Sequence, residues 1–443
     1  MNRRGVLALG TLVIAAACGG VGSSGGEAAG KKAVTTMGFG LPDEHATARV
    51  AAFKKAFPDV AVTINEGAFD EQQFLSAVAS GNPPDIVYLD RNKIGTYAAR
   101  GALQPMDSCV SDQKIDLSQY RDSAVAQVRF DGKVYGIPEF ATVRVMIVNN
   151  AAARAAGVDP AALSSTDWTA LQQASAKMAD TAGGKIRRVG VDPRLPETLP
   201  LWAKANGVDL ISADGKTAHL NDPKVAEALQ YAAGLATSQA PWSRFKAFRD
   251  SWDFFGAKNE YAADQVGAMP IDSWYINTLA DVSPATDITI APFTDRQGRP
   301  LTYVSGQAWA LPKGSKHPAE ACEFARTMTA TDTWIAAAKA RKAALAAKGK
   351  PYTGTFTANK AADEQIFSQL VDAGNSKILR QGIQVVLSLQ DKAVTMPPSA
   401  AAAEIQTAYE GAVGRVLAGK QNAQQALDQA QREAEKALAQ AGH

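Results

Sequence analysis

Apolar positions recur with two different periods along residues 33–89, and the period switches from segment to segment. Ala33 to Phe39 reads as a strand, stopped by Gly40-Leu41-Pro42. Val50, Phe53 and Phe57 then fall at helical spacing, with Asp43 or Thr47 placed to cap the helix and Pro58 to end it. Val60 to Ile64 alternates as a second strand. Phe74, Leu75 and Val78 give the inner face of a helix over 69–80, and Gly81-Asn82-Pro83-Pro84 turns the chain. Asp85 to Leu89 is short and continuously apolar after its aspartate, as a strand buried on both faces of a parallel sheet would be. Strand, helix, strand, helix, strand predicts a doubly wound α/β lobe.

A second set of elements follows. Two short strands flank Pro138 between Val134 and Val148, and Thr166 or Asp167 caps a helix over 168–178. Strands are expected at 188–191, 265–269, 288–292 and 308–312. Helices are expected from Pro223 to Leu235, from Pro318 to Met328 and over the alanine-rich 333–348, with proline opening the first two. The tail from Ala400 to Ala441 reads as a long, polar-faced helix that packs one narrow stripe. A chain of 443 residues is too long for one ordinary core and suits two lobes.

The N-terminus carries an address. Met1-Asn2-Arg3-Arg4 is basic, and Val6 to Ala17 is apolar apart from Gly10 and Thr11, short for a membrane span but suited to a signal peptide over 1–17. Ala15-Ala16-Ala17 directly before Cys18 looks like a lipobox, in which the cysteine thiol takes a diacylglycerol. Arg3-Arg4 also resembles a twin-arginine export signal. A glycine- and serine-rich tether over 18–32 is expected to hold the folded body near a membrane. No later stretch reaches eighteen consecutive apolar residues.

Composition narrows the functions available. Lys+Arg is 46 against Asp+Glu at 44, a net charge of +2, so no broad polycation exists for nucleic acid. The four histidines and three cysteines are isolated, without zinc spacing, and no GxSxG or GxxxxGK[ST] run is present. No metal and no cofactor is called for. Cys109 and Cys322 are either a long-range disulfide, as export favours, or two separate buried thiols.

The order of motifs resembles the extracellular solute-binding proteins of ABC importers, in the large sugar-binding, maltose-binding-protein-like group. Phe53 to Pro58 with the strand after it, Ser80-Gly-Asn-Pro-Pro-Asp-Ile86, Gly101-Ala-Leu-Gln-Pro-Met-Asp107, Asp131-Gly-Lys-Val-Tyr-Gly-Ile-Pro138, Thr166-Asp-Trp168, Val266-Gly-Ala-Met269 to Trp274, Ala319 to Met328 and Val416 to Asp428 match in the family's order. Each motif is weak alone, and eight in order span nearly the whole body. The resemblance implies a type II periplasmic-binding-protein fold of two doubly wound α/β lobes with a helical tail. Lobe 1 would be 33–141 plus 290–345, and lobe 2 would be 142–289 plus 346–443. Both later cysteines then fall in lobe 1. The partners implied are a carbohydrate clamped between the lobes, the membrane subunits of an ABC permease and the membrane itself through the lipid anchor. The protein would be a monomer on the outer face of the cell membrane, with no enzymatic activity.

Carried over residue by residue, the resemblance implies a cleft edged by several loops. Phe39, Asp43 and Glu44 follow the first strand, Phe69 and Gln72 the second, and Asp90 and Asn92 the third. Glu139 and Phe140 lie in the strand between lobes. Glu197, Trp202 and Trp274 come from lobe 2, and Ser305, Gly306 and Trp309 from the returning segment. Arg380 is a late candidate from lobe 2. Trp274 is the leading stacking plate, against a core indole. Asp90 ends a strand but also suits a helix cap, Asp43 and Glu44 suit a first helical turn, and Trp309 lies in an alternating strand where core placement competes. Trp168 and Trp252 read as structural. The maltose-binding protein carries a tryptophan in the segment matching Thr395-Met-Pro-Pro-Ser-Ala-Ala-Ala and a cleft tryptophan where Leu89 stands. Fewer plates point to a smaller ligand: a monosaccharide, disaccharide, amino sugar or glycerol-phosphodiester type. The alternatives are a polyamine in the same fold, which needs several cleft acids, and a secreted glycosidase, which needs a tuned carboxylate pair.

Overall fold

A computed structural model describes residues 32–441. The expected signal peptide, Cys18 and nearly all of the tether lie outside the described residues. Among the described residues no helix is long and apolar enough to cross a membrane.

The first lobe is built on a five-stranded sheet. Ala33–Met37 lies between Ala61–Asn65 and Ile86–Asp90, parallel to both, so each strand-helix-strand step returns the chain to the same end. Gln307–Ala310 adds antiparallel to Ile86–Asp90, and Ile137–Pro138 closes the order. The helix Glu44–Ala56 lays Val50 and Phe53 on this sheet, against Phe324 of the helix Pro318–Thr329. Cys109 and Cys322 form a disulfide in the same core, with Cα atoms 5.7 Å apart and 213 residues between them. A bridge closing so long a loop strongly restricts the unfolded chain.

The second lobe centres on Thr142–Asn149. Ile288–Pro292 and Val266–Asp272 flank it, both antiparallel, and Val189–Val191 pairs parallel to Val266–Asp272. All eight residues of Thr142–Asn149 except Arg144 are buried, which suits a central strand covered on both faces. Helices Trp168–Met178, Leu199–Ala205 and Pro223–Thr237 cover one face, with Trp202 wedged edge-on between Trp168 and Phe293. Lys377–Gln390 covers the other through Leu379, Ile383 and Val386.

Two expected boundaries move. Residues 290–292 pair with Val145 to Ile147, and Phe293 and Leu301 enter the second core, so the return to lobe 1 falls at 303–306 and not at 290. Residues 358–366 stay with lobe 1. Ala358 enters its core, Ala362 and Ile366 pack against Trp334, and Asp363 pairs with the buried Arg121 at 2.6 Å. Phe356, just before this stretch, already reaches the second core, and Ala373, just after it, joins that core again. Short apolar strands at a lobe junction read alike in sequence whichever sheet receives them.

The tail is two helices, Ala402–Leu417 and Ala423–Ala441, separated by a turn with Gly419 at φ +67°. Ile405, Ala408, Ala412 and Val413 from the first, with Ala426, Leu427, Ala430 and Ala434 from the second, are buried in the second core. This is a broader contact than a single stripe.

Candidate functional site

The lobes are joined by crossing strands that hydrogen-bond to one another. Val304–Ser305 pairs antiparallel with Thr142–Val143, Val304 N–H donates to Val394 O at 2.9 Å, and Gln390 Nε2 donates to Ala141 O at 2.9 Å. These short paired segments are the connections between the two lobes.

Two cavities adjoin these crossings. The larger, about 710 Å³, is lined by Arg121, Lys204, Asp209, Asp391 and Thr395 among others, and no sheet strand ends in it. The smaller, about 280 Å³, takes Asp90 and Asn92 from the end of Ile86–Asp90, Arg144 opposite the end of Val266–Asp272, Glu197 and Leu201 beyond Val189–Val191, and Ser305 and Gly306 from the crossing. In open α/β sheets ligands bind outside the carboxyl ends of the strands. The smaller cavity meets that condition from both lobes and is the candidate site.

Arg144 lines it as one half of an oriented ion pair. Arg144 and Asp272 are register partners on neighbouring strands, with Nε 3.3 Å from Oδ1 and Nη2 3.5 Å from Oδ2. Ser305 Oγ donates to Asp272 Oδ1 at 3.4 Å and lies 2.9 Å from Thr142 Oγ1. Both planar groups are about four-fifths buried and so held in position. Asp90 accepts from Gln307 Nε2 at 3.1 Å, and Asn92 Nδ2 donates to Gln406 Oε1 at 3.2 Å. Glu197 pairs with Arg194 at 3.3 Å, and Glu410 accepts from Gln406 Nε2 at 2.8 Å. Gly306 has φ +145°, and a Cβ there would sit 2.2 Å from Phe140 O, so only glycine lets the crossing approach this closely. Arg91 lies underneath, donating to Gln127 Oε1 at 2.9 Å and Gln307 O at 3.2 Å, with burial pushing its pKa down to about 10. The arrangement offers planar, multidentate donors and acceptors and holds each in place by a neighbour.

Five of the sixteen expected ligand residues come together here: Asp90, Asn92, Glu197, Ser305 and Gly306. Trp274 stands two residues past Asp272, half-buried and in an offset stack on Phe255 (6.0 Å between centroids, 18° between planes). The others lie elsewhere. Phe39 and Trp309 are buried in the first core, 4.9 Å apart, and Trp202 is buried in the second, its Nε1 donating to Pro193 O at 3.2 Å. Glu139 is fully buried and bonded to Arg49 at 2.9 Å. Phe69 packs on Phe74 and Tyr97. Gln72 is exposed on the helix Glu71–Ala79, and Arg380 is exposed and donates to Gly374 O. Glu44 pairs with Arg341 at 2.5 Å. Asp43 caps its helix through Ala46 N–H at 3.0 Å, and burial opposes its ionisation, but His45 and that N–H hold its pKa at about 2. Asp43 and Phe140 line a separate small cavity with His45 and Asn277.

Arg144, Asp272, Tyr303, Gln406 and Glu410 were not expected. A lone charged residue in an otherwise apolar strand is the signal for Arg144, the one position there that is not fully buried, but its partner follows only from the register. Glu260 is a further buried acid, behind the Trp274 segment. Burial pushes its pKa up to about 7, with Arg194, Asp192, Tyr261 and Tyr275 as charged or polar neighbours.

Residues 42–333 match the family model described as bacterial extracellular solute-binding protein, and the chain belongs to that family. The arabinooligosaccharide-binding protein of Bacillus subtilis is 24% identical over 327 residues, 71% of this chain and 72% of that protein. The diacetylchitobiose binding protein DasA of Streptomyces coelicolor is 25% identical over 351 residues, 73% of this chain and 77% of that protein. Among solved structures, CpMnBP1 with mannotriose bound superposes with a TM-score of 0.74 at 23% identity, covering 91% of this chain and 100% of that one. The fold is that of the two-lobed type II periplasmic binding proteins.

Proposed function

We propose that this protein is the substrate-binding component of an ABC importer. It is anchored outside the membrane through a lipid on Cys18, captures a carbohydrate between its lobes and delivers it to the permease without changing it. The observation that carries the reading is Arg144, held by Asp272, lining one cavity with Glu197 and Asp90, with Trp274 two residues past Asp272 in the chain. Planar ion-paired groups match the paired hydroxyls of a sugar, and an indole matches its C–H face. The two curated relatives, named for arabinooligosaccharide and diacetylchitobiose, support the carbohydrate class. Contacts from both lobes exist together only when the lobes close, so the ligand shifts the open–closed balance by its differential affinity.

The test is a thermal-shift panel of neutral sugars, amino sugars, glycerol phosphodiesters and spermidine. A matched sugar at about 100-fold over its dissociation constant stabilises the fold by roughly 2.7 kcal/mol. Trp274→Ala is expected to remove most of that shift while the free protein melts close to wild type, because the indole is only half-buried. A shift with spermidine alone, or with nothing, rejects the carbohydrate reading. Collapse of the free variant makes Trp274 a core residue.

A further inference from the structure

Among the described residues Phe255 is the single large apolar side chain left exposed, at 67%. It is also held rigidly. Its ring stacks at 6.0 Å and 18° on Trp274, and Phe254 stands edge-on to it at 5.1 Å and 82°. Phe254 is itself stacked on the buried Tyr275 at 4.4 Å, and the Tyr275 hydroxyl donates to Phe254 O at 2.9 Å. Gly256 turns the chain directly after Phe255, where a Cβ would collide with the Asp253 carboxylate at 2.0 Å. A single exposed apolar side chain is ordinary by itself; what sets Phe255 apart is that its ring is stacked on a second aromatic and backed by a third.

Arg194 links this wall to the polar cavity. Arg194 places its guanidinium 5.6 Å over the Phe254 ring and bonds through Nη2, at 3.3 Å, to Glu197, which lines the cavity. On the other side, Trp274 follows Asp272 by two residues. The cavity itself, about 280 Å³, lies just below the usual range for small-molecule sites, which leaves room for an adjoining surface to take part in binding.

We propose that Phe255 forms an outer subsite for a sugar unit beyond those held in the polar cavity, and that the ligand is an oligosaccharide of three or more units. This rests on the carbohydrate reading and revises the expectation of a mono- or disaccharide, which was drawn from missing tryptophans and could not see a phenylalanine supplied by an irregular loop. The exposed Phe255 ring, stacked on Trp274, would present its outer face to the C–H side of the added sugar ring.

Isothermal titration with manno-, arabino- and N-acetylchito-oligosaccharides of one to four units tests it. In the series that binds, wild-type affinity is expected to rise roughly tenfold on adding the unit that reaches Phe255, at three units or more. Phe255→Ala is expected to remove that step and little else, and Phe255→Trp to restore it. The exposure of Phe255 makes both variants safe for folding. Affinity that levels off at one or two units, or a Phe255→Ala protein that binds the longer sugars as wild type does, overturns the subsite and leaves the carbohydrate reading standing. Failure of every saccharide to bind wild type overturns both.

Discussion

Replacing Arg49 with methionine is expected to destabilise the fold by about 3–5 kcal/mol, because it strands the Glu139 carboxylate in the first core. The pair is 2.9 Å apart with both side chains at 2% exposure or less. Arg49 also donates to Met328 O at 3.1 Å, and its guanidinium lies 4.1 Å over Trp334. Glu139 accepts from Tyr88 OH at 3.1 Å and from Trp309 Nε1. Removing only the charge of Glu139, by Glu139→Gln, leaves an unpaired guanidinium and is expected to cost less, since cation–π contacts and the Met328 and His45 carbonyls remain, the latter accepting from Arg49 Nε at 3.3 Å. The double variant Arg49→Met/Glu139→Gln is expected to recover a good part of the loss, and chemical denaturation of the four proteins measures the coupling. Sugar affinity of the folded fraction is expected to be unchanged. A Glu139→Gln protein that melts like wild type but loses sugar binding would return Glu139 to the cleft.

Raising the pH from 5 to 8 is expected to weaken the fold, and Glu260→Gln to remove much of that loss. Burial raises the folded pKa of Glu260 from an ordinary 4.5 to about 7. Below the lower value both folded and unfolded chains hold the proton, and nothing is gained or lost. Between the two, the unfolded chain releases it while the fold keeps it, so stability falls as pH rises and levels off above about 7. The difference corresponds to roughly 3 kcal/mol at pH 8. Asp363, raised by burial to about 6 despite its bond to Arg121, adds a smaller fall at lower pH that the Glu260 variant keeps. Denaturation midpoints from pH 4 to pH 8 check this. A variant with the wild-type slope would mean that Glu260 is ionised in the fold.

Most elements were legible in the sequence because period and punctuation agreed. The helix Trp168–Met178 and the strand Ile288–Pro292 fall where the pattern put them. Which sheet a strand joins was not legible, since Ile288–Pro292 is apolar enough for either lobe. The candidate site was legible only in part, for a related reason. Position at and just after a strand end pointed to Asp90 and Asn92, and the family resemblance added Glu197, Ser305 and Gly306. Sequence cannot show which way a side chain turns, so Phe39, Trp202 and Trp309, all suited to stacking on a sugar, turned out to fill cores. Glu139 reads as a ligand carboxylate until Arg49, ninety residues earlier, is seen against it. Asp272 and Arg144 meet only through antiparallel register, and Phe255 through a loop with no period at all.

The central claim is a hinged pair of lobes that closes on a carbohydrate. Small-angle scattering of the free protein and of the protein saturated with the sugar giving the largest thermal shift tests it most directly. A smaller radius of gyration with that sugar, and no change with a sugar that does not bind, is the predicted result. Identical profiles at proven saturation would contradict it.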